Sequence, residues 1–331
     1  MNPIISNMGS PRRVGEACLV AIVLLLLSLN ACALSAGPGF RDADGLRETA
    51  DLIQDVKAFG RTLGIEPTDA LSRTTGEGRA LSMVWLWLQR AGTLASNRAV
   101  DIRMAVGLSS IKEQTKIEQV YRVEGYSVYY RQGNEFADPR SAVTPSFATQ
   151  GIVRRVNVIL HEDLHGDVNF DLPWDIEEGV VTPLGSLAAV QYFKHRGDAE
   201  NLKRSQMALN EGRQISLELL KLAKEAETIF KNTPVEDAKE KVLALLSIYP
   251  AYQSMFQRQV VGQHPATVLE AKLSHDLAYF RYFDAIAALA EKHVALKTLI
   301  EELKKLPPDA TPEITDKFLG ALKLQNSATT N

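Results

Sequence analysis

The chain has 331 residues, of which 45% are hydrophobic and 23% charged, and a formal net charge of -3. That length and apolar content are enough for one large domain or two smaller ones. Without a basic excess, nucleic-acid binding has no electrostatic support.

Arg12 and Arg13 precede an apolar run from Cys18 to Leu29, which ends in Leu29-Asn30-Ala31-Cys32. A basic flank, a short apolar segment and a small residue before the cut follow secretory-signal logic, and the run is shorter than the roughly 20 residues a spanning helix needs. The ending resembles a lipobox, with Asn30 an unusual occupant. Residues 1–31 are therefore predicted to be a lipoprotein signal peptide and Cys32 the lipidated first residue of the mature chain, with an uncleaved anchor as the alternative. Cys18 leaves with the signal, so cysteine chemistry is excluded. Acyl chains on Cys32 would hold the protein to a membrane surface without a spanning helix. Ala33, rather than Asp, after the cysteine favours the outer membrane, with the domain facing the periplasm. Residues 32–44, with Gly37, Pro38 and Gly39, read as a lipidated tether.

Leu46, Ala50, Ile53, Val56 and Leu63 fall near helical spacing and predict an amphipathic helix ending at Gly64. "ALSMVWLWL", Ala80 to Leu88, is an apolar run that fits a buried strand or a buried helix equally. Alternation from Val100 to Val106 and the Val- and Tyr-rich segment from Ile117 to Tyr130 predict a small sheet. Ile152, Val156, Ile159 and Leu160 then form a helical stripe running into "HEDLH", His161 to His165. A second helix is expected through Val181, Leu184, Leu187, Ala188 and Val190, folded back on the first by a turn at Pro173. Beyond it the chain reads as helical, over Asp198–Asn232, from Pro234 to Tyr249, and after Pro265 until the break at Pro307 and Pro308. The Lys and Glu runs in this half read as solvated helix faces, and His264, His275 and His293 as structural.

HEDLH carries the chemistry. Residues four apart share a helix face, so His161 and His165 can point imidazoles at one ion. Glu162 is placed to take a proton from water whose pKa a metal ion has lowered towards about 7. Zn2+ bound in this way needs a third ligand and an open fourth position. Glu177 and Glu178 are the nearest downstream carboxylates. One can serve as the ligand while the other complements a helix N-terminus. Asp163 lies off the histidine face and is expected to meet solvent.

HEDLH, a 12-residue gap, Glu178, then Val180, Thr182, Leu184 and Gly185 resemble the predicted aminopeptidase family of bacterial lipoproteins, whose pattern is HELAH, a gap of the same length and NE with a small-and-apolar tail ending in Gly. "KAFGRTLGI", "MVWLWL", Tyr126-Ser127, Asp138-Pro139 and the long segment from Glu270 to Pro307 are looser matches. The resemblance makes Glu178 the third ligand and implies aminopeptidase activity on a peptide substrate. Glu177 stands where that family has Asn, "YSVYYR" replaces its YSTLGW-like strand, and Leu269-Glu270-Ala271 replaces its Asn-Asn-Ala; the last two segments are candidates to line a substrate cleft.

Support for the imidazoles is sought from Glu177 and Thr182, the latter one turn after Glu178. Tyr126, Tyr129, Tyr192 and His195 are the candidate transition-state donors, and Glu177 or Glu135 the candidate anchor for a substrate amine. The expected architecture is α+β and predominantly helical: a zincin-like metallopeptidase domain over residues 45–308, with a small sheet, a helical C-terminal half, and a tail over 309–331. Two alternatives stay open at this point, a zinc endopeptidase and a catalytically inactive envelope lipoprotein that acts as a binding or scaffold module. The oligomeric state is also open.

Overall fold

The computed structural model describes residues 42–76, 83–94, 103–108, 111–133, 137, 141–166, 169–292 and 295–328. The signal segment, Cys32, most of the tether, Glu135, Asp138-Pro139 and His293 lie outside them. The elements run α1 (Asp42–Thr62), β1 (Met83–Arg90), β2 (Arg103–Leu108), α2 (Ile111–Val123), β3 (Tyr126–Gly133), α3 (Pro145–Ala148), α4 (Ile152–Leu164), α5 (Trp174–Arg196) and α6 (Ala199–Asn232). They continue with α7 (Val235–Leu245), a 3-10 turn over Leu246–Ile248, α8 (Pro250–Gln259), α9 (Pro265–Phe280), α10 (Phe283–Lys292), α11 (Leu296–Leu303) and α12 (Pro312–Ala328). The fold is α+β and predominantly helical. Among the described residues no helix is long and apolar enough to cross a membrane.

The sheet is antiparallel in the order β2-β1-β3, with Trp87 opposite Tyr129 and Leu88 opposite Val128. Its central strand explains why "MVWLWL" has no polar face. Trp85 and Trp87 enter the core shared with α6 to α9, while Val84, Leu86 and Leu88 pack on the other side with Val128, Ile117 and Tyr121. A strand covered on both faces reads as a continuous apolar run. The stretch from Ile117 to Val123, expected in the sheet, is helical instead: α2 covers the outer face, its Ile117 and Tyr121 one helical turn apart, and strand β3 starts only after the turn at Gly125, where φ is +86°.

A second core joins α1, α4, α5, α10 and α11. The segment read as a C-terminal tail belongs to it: α12 buries Leu319 and Leu322 there and packs on α10. The tether's last three residues, 42–44, likewise fall within α1. Helix α5 is packed by α4, α6, α9 and α10, so its first turns stand where the two cores meet.

Helix α9 contributes a buried polar cluster to the first core. Asp276 accepts hydrogen bonds from Lys272, from the Tyr252 hydroxyl at 2.7 Å and from His275 Nδ1 at 2.9 Å. Burial outweighs the pull of Asp276 and brings the His275 pKa from the usual 6.5 down to about 4, with Lys272 and Arg131 of β3 acting in the same direction. The unfolded chain thus takes up a proton that the folded protein refuses. Stability contributed by neutral His275 is expected to fall as pH drops from about 6.5 to about 4, and denaturation curves of His275→Gln should be flatter across that window.

Candidate metal centre

Helix α4 ends at Leu164, one residue before the second histidine. His165 caps it in an extended conformation (φ -73°, ψ 163°), and Gly166 follows at φ +92°, a backbone region open chiefly to glycine. His161 is therefore helical and His165 is not. Their Nε2 atoms nevertheless come within 3.0 Å of each other. Glu178 arrives from the second turn of α5 and sets Oε2 3.6 Å from His161 Nε2 and 3.7 Å from His165 Nε2. All three side chains are buried.

Several contacts hold the turn that aims His165. Glu177 Oε1 accepts from His165 Nδ1 at 2.7 Å and from the Gly166 N–H at 3.4 Å. Because a carboxylate only accepts, this bond puts the His165 proton on Nδ1 and leaves the Nε2 lone pair facing the other ligands. Asp163, expected in solvent, is 1% exposed. Its Oδ1 accepts from Lys57 of α1 at 2.9 Å and from the Thr68 N–H and hydroxyl at 3.0 and 3.1 Å. Its carbonyl accepts from Asn169. The exposed position foreseen for Asp163 fails because α1 and the chain after it cover the back of α4.

Gly185 supplies the room for this packing. A Cβ there would lie 3.1 Å from His161 Cβ and 3.3 Å from its Cα, so a larger residue would push α4 and α5 apart by a few tenths of an ångström.

The electrostatics fit a cation. Burial, then His165, depresses His161 well below its ordinary pKa, which keeps the imidazole neutral as a metal ligand must be. Burial, then the charges of Glu177 and Glu162, pushes the Glu178 carboxyl well above the usual range, with Trp174 and Tyr279 giving partial compensation. Neither Glu178 oxygen has a well-formed hydrogen bond. A buried carboxylate in that state is costly unless a positive charge meets it. The three ligand-atom separations, 3.0 to 3.7 Å, are each less than twice a metal–ligand bond of about 2.0–2.1 Å, so one ion can touch all three.

Glu162 is fully buried and close enough to Glu178 to raise its pKa. Thr182 is buried too, but its hydroxyl makes no hydrogen bond, so it fastens neither imidazole; Glu177 does so for His165.

Strand alternation separates the two tyrosine candidates that lie on β3. Tyr126 points to the α2 face, where its hydroxyl accepts from Arg90, away from α9 and the histidines. Tyr129 faces inward, stacks on Trp87 at 5.6 Å and meets His275 at 5.2 Å. Tyr192 and His195 lie 14 and 17 residues beyond Glu178 on α5, about 21 Å or more along the axis, with Tyr192 bound to Asp55 and His195 against Phe59. Glu270 accepts from the Gly92 N–H and ties α9 to the β1 turn. The aromatic residues that do reach Glu178, Trp174 and Tyr279, carry no motif in the sequence; only the packing of α9 on α5 brings them there.

No protein-family model, curated protein or solved structure matches the chain. What the fold itself assembles is a buried group, His161, His165 and Glu178, able to bind a metal ion.

Glu177→Gln should keep the fold and weaken metal binding about 10- to 100-fold in competition with a chromophoric chelator, because the amide is a poorer acceptor for His165. Asp163→Ala strands the Lys57 ammonium at a buried site and should cost about 3 kcal/mol in chemical denaturation.

Proposed function

We propose that the chain is a zinc-dependent peptidase with a zincin-like centre, in which His161, His165 and Glu178 hold the ion. The observation that carries this reading is the convergence of two imidazole Nε2 atoms and an otherwise unsatisfied carboxylate beside a second buried carboxylate, Glu162. Two nitrogens and one oxygen form a borderline-soft donor set suited to Zn2+, and three protein ligands leave a position open for chemistry. Bound there, zinc supplies Lewis acidity that makes water a nucleophile at neutral pH.

The chain's own groups do the rest. Glu162 accepts the proton of the attacking water and delivers it to the leaving nitrogen as the peptide bond breaks. Glu177 fixes the His165 tautomer. Tyr279 is the buried hydroxyl on the side of Glu178 and Glu162; burial and those two charges keep it protonated, the state a hydrogen-bond donor to a developing oxyanion requires. Aminopeptidase activity is the substrate mode that the sequence resemblance supports, in a periplasm-facing lipoprotein anchored through Cys32.

Metal analysis of the purified full chain should find about one zinc per molecule, lost in His161→Ala. In a peptide-library digest, Glu162→Gln should retain the metal and lose hydrolysis by at least about a hundredfold, since an amide cannot take the proton. Undiminished turnover by that variant would remove Glu162 as the base, and the cleavage positions separate amino- from endopeptidase action.

A further inference from the structure

A cavity of about 610 Å³ lies where the end of α1 meets α5, α6, α10 and α11, a volume ordinary for a small-molecule site. Leu187 and Lys194, which line it, stand nine and sixteen residues beyond Glu178 on α5, about 14 and 24 Å along the helix axis. The cavity is therefore separate from the candidate metal centre, although one helix serves both.

Its lining divides by exposure. Leu63, Leu187, Leu209 and Leu296 are half-buried; each packs on a core and also borders the cavity, where its remaining apolar surface stays uncovered. The short side chains of Ala287 and Ala290 leave room beside them. Among the described residues no aromatic side chain lines the space, so a flat ring finds nothing to stack on and an aliphatic chain fits better.

The charged lining residues are Lys194, Arg213 and Lys297 against Glu291. Arg213 is held by Asp284 at 2.8 Å and by Glu291, which takes that carboxylate out of the balance. Lys297 reaches Glu301 only at 3.8 Å, with both side chains more than half exposed, so that pair is worth little. Among the described residues the Lys194 ammonium has no side-chain partner. Lys194 and Lys297 are both exposed and so stand at the mouth. Two available ammonium groups over an aliphatic floor match a ligand with an apolar chain and an anionic head.

We propose that this cavity binds a fatty-acid carboxylate, its chain against the leucines and its head met by Lys194 and Lys297. The site is independent of the peptidase reading, and neither zinc nor Glu162 enters its test.

The test titrates decanoate by calorimetry into the full chain held in phosphatidylcholine nanodiscs, with protein-free discs as the blank. Lengthening the chain from hexanoate to decanoate should tighten binding up to about fourfold per methylene. Decanol, which lacks the charge, should bind about tenfold more weakly. Lys194→Gln combined with Lys297→Gln should remove that preference and leave decanol binding unchanged. Ala290→Phe should abolish binding of both by filling the cavity, with folding checked by circular dichroism; Leu209→Phe, on a different helix, keeps the test decisive if the first variant does not fold. Heats equal to the blank, or decanoate binding unaltered in a folded, cavity-filled variant, overturn the site. Decanol bound as tightly as decanoate overturns the carboxylate as its ligand.

Discussion

The candidate centre depends on a turn. Helix α4 stops one residue short of His165, so helical geometry by itself does not aim the second imidazole. The aim comes from Asp163 on one side, where Lys57 and Thr68 fasten the helix end, and from Glu177 on the other, which grips His165 Nδ1 and the Gly166 N–H. A buried ion pair such as Lys57–Asp163 adds little net stability once desolvation is counted, but removing either partner is expensive. Its use here is geometric: it ties α1 and the chain after it to the residue between the general-base candidate and the second histidine.

The same economy recurs on α5. One helix provides Glu178 as a candidate ligand, Glu177 as the support for His165 and Gly185 as the gap into which the His161 backbone fits. It is packed by helices from both cores, so the carboxylates cannot shift without disturbing much of the domain. That rigidity matters because Glu177 and Glu162 both repel Glu178 in a buried space. Packing holds the acidic groups together, and a cation held by His161, His165 and Glu178 would relieve the repulsion.

Aromatic and polar groups of α9 extend this environment towards the sheet. Tyr279 links the Glu178 carboxyl to the Asp276, His275 and Lys272 cluster, and Trp87 and Tyr129 close the far side. The histidine reading of the sequence treated His275 as structural because it has no ligand spacing. In the fold it is fully buried and held by Asp276 through Nδ1, at the contact of β1, β3 and α9.

The sequence by itself determined the local parts: the helical stripe leading into HEDLH, the four-residue spacing of the histidines, a downstream carboxylate pair after a turn at Pro173, and the apolar run from Ala80 to Leu88, whose strand state only the sheet decided. These are legible because they are written in near neighbours and in periods of 3.6 or 2 residues. Tertiary structure alone decided the burial of Asp163 by Lys57, 106 residues away, the choice of Glu177 over Thr182 as the partner of His165, and the helical state of residues 111–123 on the outer face of the sheet. It also drew α12 into the core and set Tyr279 beside Glu178. Each of these depends on which surfaces meet, and long-range burial, not local spacing, sets that.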